Sequence, residues 1–100
     1  MVLAIDFDGV IHDHKNPIKG RRMGPPIKGA KEALEGYTRR GDEVVVFTVW
    51  GGTPSGVETI RKWMEYYQIP FSSITNIKVN ADVYLDDRAI RFTSWGEVTI

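Results

Sequence analysis

One hundred residues, 42% hydrophobic and 26% charged, describe one folded domain and exclude a long disordered chain. Thirteen basic and thirteen acidic side chains cancel to a net charge of zero, which excludes a globally basic nucleic-acid binder but leaves room for a local basic patch. The absence of cysteine excludes a disulfide framework, a thiolate metal site and a cysteine nucleophile.

Val2 to Phe7 is a short apolar run ending at an acid, the pattern of a buried strand. Residues 9 to 26 are polar, with Gly20, Gly24 and Pro25-Pro26, and are too many for an ordinary connection, so they predict a functional flap. A helix is expected to start near Pro26 or Ile27, with Ala30, Ala33, Leu34 and Tyr37 on its apolar face and Gly41 just past its end. Glu43 to Val49 reads as a strand apolar on both faces, as in parallel sheets covered by helices on each side. After the Gly51–Pro54 loop, Ser55 and Glu58 form a predicted capping box. Val57, Ile60, Trp63, Met64 and Tyr67 then give the buried face of a second helix. Short strands are expected at Ser73 to Thr75 and at Ala81 to Leu85, the latter buried, with one or two more within 89–92 and 97–100. The order predicts an α/β fold: three layers, α/β/α and Rossmann-like, around a small, mostly parallel sheet with the first strand central. The apolar runs are far below the ~20 residues that span a bilayer, and Met1 to Ile5 lack the basic flank and length of a signal peptide. The expectation is a cytoplasmic protein without a membrane partner.

Chemistry gathers at the predicted strand ends. Asp6 and Asp8 follow the first strand, Thr48 ends the second, and Lys78 precedes a strand that ends at Asp86-Asp87. In an open parallel sheet the ligand crevice lies at the carboxyl ends of the strands. Crowded carboxylates repel unless a cation joins them, and an oxygen-only set suits Mg²⁺. A lysine and a threonine hydroxyl beside that cation suit a phosphoryl group.

The residues themselves resemble a family. Asp6-Phe7-Asp8-Gly9-Val10 is similar to the first motif, DxDG[TV], of the haloacid dehalogenase-like (HAD) phosphohydrolases. Val45-Val46-Phe47-Thr48 resembles their second motif, Lys78 the third, and Tyr84-Leu85-Asp86-Asp87 the fourth. The resemblance implies a Mg²⁺-dependent phosphatase in which Asp6 is the nucleophile and Asp8 the general acid and base. It further implies that Asp6, the Asp8 backbone carbonyl and Asp86 hold the metal, with Asp87 beside them. Thr48 and Lys78 would hold the phosphoryl oxygens. Gly9, Val49 and Trp50, with Arg21 and Arg22 from the loop, complete the candidate substrate contacts. Lys78 lies only eight residues before Asp86, so no helix fits between them, and Val49-Trp50 replaces small or polar residues. With no room for a cap domain, the chain resembles a capless member. Its expected partner is a phosphorylated small molecule, such as a nucleotide or sugar phosphate, or a phosphorylated macromolecular end.

Other readings accompany this one. Asp86-Asp87 could cap a helix at Arg88, and Trp50 could pack under its loop or stack on a base or sugar. His12 and His14 flank Asp13, but no further nitrogen or sulfur ligand closes a metal site, so they are assigned to the flap. Lys15, Lys19, Arg21, Arg22, Lys28 and Lys31 stand in a stretch without an acid, as a solvated loop or as a lure for an anionic substrate. A receiver-like phosphoacceptor would need its aspartate at the end of the third strand, which does not match. A non-catalytic phosphate- or Mg²⁺-binding module on the same fold is the remaining alternative.

Overall fold

The computed structural model describes residues 1–89 and 91–98. Strand β1 (Val2–Asp6) leads through a long loop to helix α1 (Ala30–Arg39) and strand β2 (Glu43–Phe47). Helix α2 (Pro54–Tyr66) and the short strands β3 (Ser73–Thr75) and β4 (Val83–Leu85) follow. The sheet is α/β in the Rossmann manner: four strands, all parallel, in the order β3-β2-β1-β4. The chain therefore steps outward from β1 to β3, then returns to the other side of β1 to lay down β4.

Register decides which residues face together. Leu3 pairs with Val44 and Ile5 with Val46, and all four join one buried cluster with Ala30 and Leu34 of α1 and Ile60, Trp63 and Met64 of α2. Both helices thus pack on this face of the sheet. Ala4, Val45 and Tyr84 share the opposite face, where Ala4 and Val45 are buried. There the connection of residues 76–82 passes over Tyr84, whose hydroxyl donates to the Val79 carbonyl.

Local signals were overridden where a distant partner competes. Helix α1 begins at Ala30, not at Pro26 or Ile27. Pro26 forms an antiparallel bridge with His12, and the Ile27 N–H donates to the Ile11 carbonyl at 2.8 Å. Gly29 then takes φ 91°, which ends any helix before it. The N-cap of α2 is Thr53, whose hydroxyl accepts from the Gly56 N–H at 3.0 Å, with Pro54 in the first turn. Ser55 and Glu58 do not form the expected box; Glu58 pairs with Arg61 instead.

β4 is exposed rather than buried, because among the described residues it is an edge strand paired only with β1. Its entry is tied by Asp82, which accepts from the Val2 N–H at 2.6 Å. Among the described residues of 89–92 and 97–98 no strand forms, and Trp95–Glu97 is a 3-10 turn. Ile90, Thr99 and Ile100, also in those expected segments, lie outside the described residues.

Candidate active site

Parallel strands bring their carboxyl ends to one rim, so residues far apart in sequence meet there. The switch from the outward run to β4 falls at β1, and a crevice of about 540 Å³ opens at this point. Asp6, Asp8, Thr48, Val49 and Asp87 line it, together with His14, Lys15 and Arg88.

Oxygens of Asp6, Asp86 and Asp87 all lie within 4.8 Å of one another. Asp6 is the most enclosed of the three. Burial pushes its carboxyl up to about 6 from 3.8, and the charges of Asp86, Asp87 and, least, Asp8 push the same way. A hydrogen bond from the Phe7 backbone N–H opposes this. The donor set is all oxygen and its members repel one another. Those are properties of a group that could hold a hard divalent cation such as Mg²⁺.

Gly9 brings the loop against this cluster. It has φ 86°, and a side-chain carbon there would stand 2.2 Å from the Asp87 carboxylate. Only glycine allows both the turn and the approach.

Asp8 is outside this group of three and is held from two sides. His12 Nδ1 lies 2.6 Å from Asp8 Oδ1, and Trp50 Nε1 donates to Asp8 Oδ2 at 3.4 Å. His12 is buried, stacked on Phe7 and edge-on to Trp63. The Gly24 N–H donates to its Nε2 at 2.8 Å. That nitrogen therefore presents its lone pair, and the ring proton sits on Nδ1, aimed at Asp8. Thr48 is buried at the end of β2, and its hydroxyl accepts from the Trp50 N–H at 3.3 Å, setting the turn that carries Trp50.

The fold has a precedent among solved structures. The chain is similar to a conserved protein of Bacteroides thetaiotaomicron, with a TM-score of 0.72 over 96% of this chain and 84% of that one. At 24% identity the likeness is one of fold. No protein-family model and no curated protein matches the chain.

The sequence-predicted residues divide on this geometry. Asp6, Asp8, Thr48, Val49, Asp86 and Asp87 meet at the rim, with Gly9 against Asp87 and Trp50 against Asp8. Lys78 does not line the crevice: its ammonium lies 5.8 Å from the centre of the Tyr84 ring, held there because the 76–82 connection is tied to Tyr84. Arg21 and Arg22 are also elsewhere, in a second crevice against α2. Lys15 and Arg88 are the lysine and arginine of the acidic crevice. His12 acquires a role that its sequence neighbours did not disclose. The available signal was an acid and a histidine four apart around a glycine, where the chain turns back so that the Ile11 and His12 N–H groups both reach the Phe7 carbonyl. No helix is long and apolar enough to cross a membrane among the described residues.

Proposed function

We propose that this protein is a Mg²⁺-dependent phosphomonoesterase of the HAD type, acting through an aspartyl-phosphate on Asp6. The observation that carries this reading is the meeting of Asp6, from β1, with Asp86 and Asp87, from the far end of the chain, while Asp8 stands apart in the same crevice. Four carboxylates at one rim thus fall into two groups, three that could share a cation and one free for proton transfer.

Asp6, Asp86 and Asp87 would hold Mg²⁺, which would supply charge neutralisation between the nucleophile and the phosphoryl oxygens. An Asp6 carboxylate oxygen attacks phosphorus as the ester P–O bond breaks on the far side. Asp8 gives its proton to the departing oxygen. Its carboxylate then takes a proton from a water, and the resulting hydroxide displaces phosphate from Asp6, restoring both acids. His12 and Trp50 fix the Asp8 carboxyl, so that it serves both steps from one position. The Thr48 hydroxyl and the cations of Lys15 and Arg88 face the same space and suit the phosphoryl oxygens. Lys78 would have to leave the Tyr84 ring to join them.

Turnover of an aryl phosphate with and without Mg²⁺ tests the reading. The expected result is hydrolysis that needs Mg²⁺ and is lost in Asp6→Asn. A wild-type protein that binds Mg²⁺ and phosphate but releases no phenol would instead be a binding module.

A further inference from the structure

A second crevice, of about 350 Å³, lies between the loop and the C-terminal half of α2. Its walls combine three cations, Arg21, Arg22 and Lys62, with the rings of Trp63, Tyr66 and Tyr67, and no acid lines it. Tyr66 is 66% exposed: its edge contact with Tyr67 leaves most of the ring open, and the Arg21 guanidinium stands 5.6 Å from its centre. Among the described residues neither Arg21 nor Arg22 forms an ion pair. The nearby acids of α2 are engaged: Glu58 and Glu65 both pair with Arg61, and Glu58 lies 3.9 Å from Lys62. The floor is rigid, because Trp63 donates to the Gly24 carbonyl at 3.0 Å and packs on Tyr67.

We infer that this crevice binds a nucleotide unit of single-stranded nucleic acid. Exposed aromatic faces beside unpaired cations are what such strands recognise: bases stack on the rings without regard to sequence, while phosphates follow the positive groove. The base takes the Tyr66 face, and the Arg21 guanidinium moves from the ring to the adjoining phosphate, joined by Arg22. An acidic peptide would satisfy the cations but leave the Tyr66 ring without a partner. The loop joins the two crevices. Lys15 lines the acidic one and Arg21 the aromatic one, and six residues of chain span at most about 21 Å. A short strand in the second crevice therefore lies within a few nucleotides of the first. The binding itself borrows nothing from the phosphatase reading.

The test is fluorescence anisotropy of a labelled hexanucleotide with Asp6→Asn protein in EDTA, where no turnover can occur. Saturable binding is expected, weakened about fivefold to a hundredfold by Tyr66→Ala and nearly unchanged by Tyr66→Phe. Arg22→Gln should lower the slope of log affinity against log salt by about 0.7. An exposed Tyr66 makes the alanine variant safe for folding, and its circular dichroism and melting should match the parent. No saturable binding, equal affinity in Tyr66→Ala, or equal competition by a glutamate-rich peptide would each overturn the inference. Aryl-phosphate turnover, measured separately in Tyr66→Ala with Asp6 intact, should be unchanged, so that a failure of the phosphatase reading and a failure of this one are told apart.

Discussion

Replacing Asp6 with asparagine should stabilise the metal-free protein. The shape of the side chain is kept and one negative charge leaves a crowded rim. In the folded chain the Asp6 carboxyl is raised to about 6 from 3.8, chiefly by burial and then by Asp86 and Asp87. A shift of about two units corresponds to about 3 kcal/mol. Asp6 is only partly buried, and solvent screening reduces this to about 1.5 kcal/mol. For a domain of this length that is a rise in Tm of about 6 to 12 °C. The sign follows from proton linkage. The folded state holds the Asp6 proton more tightly than the unfolded chain, so its contribution is fully present below about pH 4 and is lost as pH rises through 6. Asparagine resembles the protonated acid at every pH. The gap between the two proteins should therefore be widest above pH 7, shrink on acidification and vanish near pH 4. Thermal melts in EDTA from pH 4 to 8 measure it. Equal melting temperatures at pH 7.5, or a gap that persists unchanged at pH 4, would refute the account of a self-repelling acidic rim.

Further outcomes follow from the same geometry. Mg²⁺ should stabilise the wild type by about 1.4 kcal/mol at ten times its dissociation constant. Asp86→Ala, which removes one of the three clustered carboxylates, should weaken calorimetric Mg²⁺ binding at least tenfold. His12→Ala should lower kcat about ten- to a hundredfold with little change in KM, because it frees the Asp8 carboxyl rather than removing a substrate contact. It should also cost about 1 to 3 kcal/mol in denaturant melts by leaving the Gly24 N–H without its acceptor.

Strands β1 and β2 were legible because their apolar runs are bounded by polar or turn-forming residues and agree with their tertiary setting. The rim carboxylates were legible for a related reason: a parallel sheet puts every strand end on one edge, so an acid at such an end is located by topology alone. What escaped depended on partners distant in sequence. Pro26 looked like a helix start because its bridge to His12 cannot be seen locally. Ser55 and Glu58 spell a capping box, yet Thr53 stands before Pro54 and takes the cap. Six cations in one stretch read as a single patch, but the loop's hydrogen bonds to Phe7, Ile11 and Gly24 send Lys15 one way and Arg21 and Arg22 the other. Lys78 sat at the right place along the chain, and only the Tyr84 contact reveals where its ammonium goes.

The edge position of β4 has a consequence for how the rim opens and closes. Three residues in register with β1 and two hydrogen bonds between Asp82 and Val2 help to bring Asp86 and Asp87 beside Asp6. Such a short edge strand detaches more readily than β1 and β2, which stay fixed in the core. Without a cation, the repulsion between the acids works toward that detachment. A cation shared across the rim would act as a clasp between β1 and β4, making the attachment of β4 conditional on that ion.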